Sequence, residues 1–190
     1  PNRAITFVCP WPAGGTADVT MRVLAQVVSR ELGQPVVVEN RVGAAGMIGA
    51  KALASAKPDG YTIGQLAISV TRFAQLGMVQ IDPLKDYSFL AMASAQTFGI
   101  VVQPDSPFKN LLEIVAFAKA NPGQLSYASS GVGGSQHLNA EMFKQMAGVD
   151  LVHVPYKGTT QFLPDLMSGR VQMSVDSMPA HLPHIKSGKV

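Results

Sequence analysis

Apolar and polar positions along the chain switch repeatedly between two periods. Ala4-Ile5-Thr6-Phe7-Val8 is a short, almost wholly apolar run, as a buried strand is. Met21, Leu24, Val27, Val28 and Leu32 then recur at helical spacing. Continued along the chain, the pattern predicts strand 4–9, helix 17–32, strand 36–39, helix 45–56, strand 62–67 and a short helix near 70–77. Strands Phe89–Ala93 and Phe98–Val102 follow, then helix 109–120 with Leu111, Leu112, Val115 and Ala118 inward. Strand 125–128 leads to helix 136–146, whose Leu138, Met142 and Met146 share one face. Strand 151–154, helix 159–168 (Phe162, Leu163, Leu166 and Met167 inward), strand 171–175 and a helical stretch 180–186 complete the order. Such alternation implies an α/β fold with parallel-rich sheets, right-handed crossovers and flanking helices. The polar patch Ser94-Ala95-Gln96-Thr97 is the expected crossing between two lobes, 1–97 and 98–190.

Punctuation sharpens this order. Gly33 is placed to end a helix, and Lys57-Pro58-Asp59-Gly60 marks a turn. Pro104-Asp105-Ser106-Pro107 is expected to cap the helix that follows it. Ser187-Gly188-Lys189-Val190 reads as the entry to another strand, so the sequence is expected to be a fragment that lacks a C-terminal return to the first lobe.

The stretch Cys9-Pro10-Trp11-Pro12-Ala13-Gly14-Gly15-Thr16-Ala17-Asp18 joins a strand to a helix through prolines and glycines, with Thr16 as the expected N-cap. Unpaired N–H groups and the positive end of the helix dipole make such a place a receiver of anions. The arrangement recurs at Ser129-Ser130-Gly131-Val132-Gly133-Gly134-Ser135, and more weakly at Gly43-Ala44-Ala45-Gly46. In open α/β sheets ligands sit at such carboxyl ends of strands. Packing alone would also explain a short glycine-bearing loop.

Composition narrows the classes. Of 190 residues 47% are hydrophobic and 14% charged, the make-up of a packed globule and not of a disordered chain. The net charge is +3 and the pI about 9.1, yet Lys and Arg are scattered without aromatic interleaving, which leaves no nucleic-acid footprint. A weak positive field suits a small anion. The lone Cys9 excludes an intrachain disulfide and a cysteine-based zinc site. No apolar run reaches the length of a membrane span, and no signal peptide is visible.

Catalytic signatures are missing. The chain has no Gly-x-Ser-x-Gly elbow, no phosphate loop and no complete dinucleotide fingerprint. Ser106-Pro107-Phe108-Lys109 has Ser-x-x-Lys spacing without its companion motifs. His181 and His184 are read as exposed helix residues, since two histidines rarely hold a metal alone, and His153 as a core or rim residue. His137 either meets a ligand or caps its own helix, the local role being preferred. Asp18 either complements the helix dipole or meets a ligand ammonium group or a bound water. What remains is an inventory of backbone donors and small hydroxyls without nucleophile, base, metal or cofactor, which fits a binding protein.

Pro10-Trp11-Pro12-Ala13-Gly14-Gly15-Thr16-Ala17-Asp18 with Arg22 resembles the opening of Bug-type periplasmic solute-binding proteins of tripartite tricarboxylate transporters. Glu39-Asn40-Arg41-Val42-Gly43-Ala44-Ala45-Gly46, Pro58-Asp59-Gly60-Tyr61-Thr62, Asp82-Pro83-Leu84-Lys85-Asp86, Ala118-Lys119-Ala120-Asn121-Pro122-Gly123, the Ser129–Ser135 loop with His137-Leu138, and His153-Val154-Pro155-Tyr156-Lys157-Gly158 follow in the family's order. The resemblance implies a two-lobed, hinge-closing periplasmic binding protein fold of type II character. It implies an exported, monomeric receptor that takes a small carboxylate (a mono- or dicarboxylate, an aromatic acid or an amino acid) in an interlobe cleft and delivers it to membrane transporter subunits, with no cofactor, metal or nucleic acid. Carried over, the ligand contacts are Pro12, Ala13, Gly14, Gly15, Thr16, Asp18, Ala67 and Ser69 in the first lobe. In the second they are Ser129, Ser130, Gly131, Gly133, Gly134, Ser135, Pro155, Tyr156 and Asp176. Trp11 stands where Phe or Tyr is more usual, which extends the expected ligands to aromatic acids. A transferase-like enzyme on a two-lobed scaffold and a sensor serving a signalling partner are the alternatives.

Overall fold

The first apolar run forms β1 (Ile5–Cys9), and its position at the centre of a three-stranded sheet explains why it tolerates so few polar residues. The computed structural model describes residues 1–190, which divide into two α/β units, Pro1–Ala93 and Ser94–Val190. In the first unit the sheet order is β2-β1-β3, with β2 at Val36–Asn40 and β3 at Thr62–Gly64, both parallel to β1. The crossovers are α1 (Thr16–Leu32) and a 3-10 turn (Ala44–Gly46) running into α2 (Met47–Ala54); α3 (Ser69–Gln75) follows β3. The β1–β2 register sets Cys9 beside Asn40, which carries the Asn40 side chain to the loop that leaves β1. Ala45, Met47, Ala50, Val70 and Phe73 form the buried cluster on the α2–α3 side.

In the second unit the sheet order is β4-β7-β5-β6, with β4 at Phe98–Val102, β5 at Ser126–Ser129, β6 at Val152–Pro155 and β7 at Met173–Ser177. β5 runs parallel to β6 and β7, and β4 is antiparallel to β7. Its helices are α4 (Leu111–Ala120), α5 (Ser135–Ala147), α6 (Thr159–Met167) and α7 (Met178–Lys186). Two clusters cover the sheet, one around Tyr127, Leu151 and Met173, the other around Phe162, Leu166 and Val171.

Several expectations are corrected. Phe89–Ala93 is not a strand: no neighbouring strand pairs with its backbone, and Leu90 stays 80% exposed. The strand after the Pro-Asp-Gly turn ends at Gly64, where its partner β1 turns away into the loop. The inward faces of three helices also differ. In α1 the buried side chains are Asp18, Met21 and Ala25, while Leu24, Val27 and Leu32 are exposed. In α4, Ile114 and Ala118 point in and Leu112 is exposed. In α5, Gln136 and Ala140 are buried whereas Met146 is 81% exposed. The small Ala25, Ala118 and Ala140 let each helix backbone approach its sheet closely, which leaves the longer neighbours at the flanks. Finally, α4 is capped by Asn110, whose Oδ1 accepts the Glu113 N–H at 3.1 Å, and not by residues 104–107.

Candidate functional site

Both glycine loops are built on one plan. In the first, Thr16 is not the cap: Gly15 holds that position and Thr16 is the first helical residue. The Gly15 N–H donates to Pro12 O at 3.3 Å, and the Gly15 carbonyl accepts Val19 N–H at 3.0 Å. Gly14 has φ +78°, a left-handed conformation that glycine adopts without strain, and its N–H donates to Asp18 Oδ2 at 2.9 Å. In the second loop the Gly134 N–H donates to Gly131 O at 3.2 Å and the Gly134 carbonyl accepts Leu138 N–H at 3.0 Å. Gly133 has φ +77° and donates to His137 Nδ1 at 3.3 Å. The third helical residue thus reaches back to the residue before the cap in both loops, as in half of a capping box. His137 takes the local role, its ring meeting the Gly133 N–H.

Each loop is braced from below by a buried carboxylate. Asp18 is 2% exposed. Its Oδ1 accepts Asn40 Nδ2 at 2.8 Å, and its Oδ2 accepts Arg22 Nε and Gly14 N–H, both at 2.9 Å. Burial pushes the Asp18 carboxyl up, but the donors from Arg22, Asn40 and Gly14 outweigh it and hold the group below the ordinary carboxylate range. Arg22 Nη2 also donates to Asn40 Oδ1 at 3.0 Å, so the three side chains form a closed set. Asp176, 1% exposed, accepts Ser177 N–H at 2.6 Å and Gln136 Nε2 on Oδ1, and Thr159 Oγ1 and His181 Nε2, each at 2.8 Å, on Oδ2. Gln136 Oε1 in turn accepts the Ser130 N–H, which ties the second loop to this hub. His181 is fully buried, not an exposed helix residue as its spacing indicates. Sequence reasoning missed Gln136, Thr159 and His181 as parts of the site. Asn40 and Arg22 were visible only as members of family motifs, and the β1–β2 register is the signal that would have placed Asn40.

The other anticipated residues lie at the following places within their own units. Pro12, Ala13, Gly14, Gly15 and Thr16 follow the carboxyl end of β1, and Ala67 and Ser69 follow β3 beside it. Ser69 is buried and its hydroxyl is committed to Ala45 O at 2.7 Å. Ser129, Ser130, Gly131, Gly133, Gly134 and Ser135 leave β5; Pro155 ends β6 opposite Ser129, and Asp176 lies in β7 on the other side. Tyr156 donates its N–H to Ser129 O at 2.9 Å and its hydroxyl to Asp165 at 2.7 Å. Ser129 is fully buried, and its Oγ lies 2.6 Å from His153 Nε2 and accepts Gly131 N–H at 3.1 Å. Its hydroxyl braces the loop.

His153 stacks on Tyr127 with ring centroids 4.9 Å apart and lies 4.4 Å from the His137 ring. Burial, helped by His137, pulls His153 down to about 4. The unfolded chain, with an ordinary histidine near 6.5, therefore binds more protons across this window. Stability should be complete above the unfolded value and fall as the pH drops from 6.5 to 4. The expected loss is about 2–3 kcal/mol. Urea unfolding across this range, with His153→Gln as the comparison, checks it: the variant should lose most of the slope, and an unchanged slope would assign it to other groups.

A family profile described as "Tripartite tricarboxylate transporter family receptor" matches residues 20–190. A UPF0065 protein from the gbd 5′ region of Cupriavidus necator is 42% identical over 190 residues, covering 100% of this chain and 58% of that protein. A solved structure described as that of a periplasmic transporter is 38% identical with a TM-score of 0.89, covering 100% of this chain and 64% of the other. MatC from Rhodopseudomonas palustris, solved with malate bound, is 28% identical with a TM-score of 0.90, covering 100% of this chain and 65% of the other. The chain belongs to the tripartite tricarboxylate transporter receptor family, and its fold is the two-lobed α/β fold of periplasmic binding proteins. It spans 58% of the length of the Cupriavidus relative.

Proposed function

We propose that the chain is the ligand-receiving part of a periplasmic receptor that binds a small carboxylate and passes it to a tripartite tricarboxylate-type membrane transporter. The observation that carries this reading is the duplicated loop plan. In each loop the cap and the residue before it are bonded internally, which fixes the entry to the helix and the donor end of its dipole, a place that suits an anion. The malate held by a relative of the same fold supports a dicarboxylate as ligand. Pro12, Ala13, Gly14, Gly15, Thr16 and Ala67 in one unit, and Ser130, Gly131, Gly133, Gly134, Ser135 and Pro155 in the other, are the proposed contacts. Asp18, Asp176, Ser69, Ser129 and Tyr156 act one step removed, by holding those loops in shape. The receptor works as a monomer and turns nothing over.

Charge-assisted hydrogen bonds contribute about 1.5–3 kcal/mol each, and micromolar binding needs about 8 kcal/mol, so several such bonds suffice. A thermal-shift panel of mono-, di- and tricarboxylates and aromatic acids on the full-length protein tests the reading. At about 100 times its dissociation constant a ligand stabilises by about 2.7 kcal/mol. That corresponds to a rise of roughly 5–10 °C in Tm. Unchanged ligand should be recovered afterwards. Folded protein that responds to no acid, or that converts one, would overturn the proposal.

A further inference from the structure

We propose that the turn Gly43–Gly46 is a strained support that positions the Trp11 ring, that Ser69 latches it, and that the pair controls ligand affinity from outside the ligand's own contacts. This rests on the receptor reading and goes beyond it. The third glycine-bearing stretch does not follow the plan of the other two. Four consecutive residues have positive φ: Gly43 +132°, Ala44 +47°, Ala45 +51° and Gly46 +92°. The Gly46 N–H donates to Gly43 O at 3.0 Å and the Met47 N–H donates to Ala44 O, so the chain makes one left-handed turn before it enters α2. Ala44 and Ala45 are the only residues other than glycine with positive φ in the chain. A β-carbon in that region crowds the following carbonyl oxygen, which disfavours the conformation roughly tenfold for each alanine. Such backbone persists only where its surroundings over-determine it.

Those surroundings come from all three strands of the first sheet. Ala45 is 1% exposed and packs with Met47, Ala50, Val70 and Phe73. Its carbonyl accepts the buried Ser69 hydroxyl at 2.7 Å, which ties the loop after β2 to the start of α3 after β3. On its other side the turn meets the loop that leaves β1. A β-carbon at Gly46 would stand 3.1 Å from Ala67 Cβ and 3.6 Å from both Pro10 Cβ and Trp11 Cζ2. The edge of the indole therefore lies close over Gly46, with no side chain between them. The Trp11 backbone is held elsewhere, since its carbonyl accepts Asn40 Nδ2 at 2.9 Å. The ring, and not the loop backbone, is what the turn positions. Trp11 directly precedes Pro12 and Ala13, so the ring borders the entry to α1. Removing the Ser69 hydroxyl frees Ala45 to leave the left-handed region, and the ring loses its support.

The test uses full-length protein labelled with 5-fluorotryptophan, in which the Trp11 signal is the 19F resonance missing from Trp11→Phe. Ser69→Ala should shift or broaden that resonance. With Ala45 unlatched the supported state falls to about a tenth of the population, so the malate Kd should rise about tenfold. Ala45→Gly should leave the resonance in place and raise Tm by about 2–4 °C, because glycine enters the left-handed region without strain. In the double variant Ser69→Ala/Ala45→Gly the resonance should return towards its place, with a malate Kd only about twofold above the parent's. Loss of a buried hydrogen bond alone would give no such rescue. A Trp11 resonance unmoved by Ser69→Ala, a Tm lowered by Ala45→Gly, or a double variant as weak as Ser69→Ala would overturn the proposal. Should the parent protein bind no malate, the dicarboxylate reading fails, while the Trp11 resonance and the Tm still decide whether the turn supports the ring.

Discussion

Asp176→Ala should cost the second unit about 3–5 kcal/mol and abolish ligand binding. The substitution strands four donors at once: Gln136 Nε2, Ser177 N–H, Thr159 Oγ1 and His181 Nε2. His181 is fully buried, so water does not replace the lost acceptor without opening the packing against Phe162. Gln136, released from Asp176, no longer holds the Ser130 N–H in place. Asp176→Asn is the informative comparison. Its amide oxygen keeps some of these bonds, and its NH2 meets His181, which can adopt the other tautomer because its Nδ1 has no partner. The isosteric change should therefore cost about 1–3 kcal/mol, the range for one unsatisfied buried group. Urea unfolding of both variants checks the order. Equal and small losses would mean that the hub is not a determinant of stability.

The second large effect is expected at Gly49→Val, with a loss of about 3 kcal/mol or more and a displaced first loop. A β-carbon at Gly49 would stand 2.8 Å from Pro10 Cβ, 3.0 Å from Pro10 Cα and 3.2 Å from Arg41 O. Two of these neighbours are backbone, and Pro10 is rigid, so neither side gives way. Gly49 thus seats α2 directly against the end of β1, one residue before Trp11 and the first glycine loop. Gly49→Ala should already cost about 1–3 kcal/mol. Lys51→Ala, on the exposed face of the same helix, should stay within about 0.5 kcal/mol of the parent. Thermal unfolding with carboxylate affinity measured in parallel would show stability and binding falling together at Gly49. Loss of neither would contradict the seating argument.

The alternation of strand and helix was legible because β1 and β5 end in loops whose glycines have few other uses. The duplicated Gly-Gly-Thr and Gly-Gly-Ser entries to α1 and α5 were legible for the same reason. The helix faces were not. In α5, Leu138-Met142-Met146 and Gln136-Ala140 have the same spacing, and periodicity favours the apolar set. The structure buries the polar one because Gln136 finds Ser130 and Asp176 as partners. Those partners lie far along the chain, and no local pattern announces them. His181 hid in the same way: three residues from His184 and without a third ligand it reads as an exposed helix residue, until β7 sets Asp176 against it. Phe89–Ala93 shows the reverse error, since an apolar run specifies a strand only where a neighbour exists to pair with it. The glycine loops were easier to anticipate than the side chains that brace them, because loop geometry is local and bracing is not.

The central claim is that the first-turn amides of α1 and α5 receive a carboxylate. A titration of full-length, 15N-labelled protein with malate, followed by amide NMR, tests it most directly. Saturable shifts are expected at Thr16, Ala17, Gln136 and His137, over the malate concentrations at which calorimetry on the same protein registers binding. Malate that binds while these amides stay unmoved would place the ligand elsewhere and contradict the account.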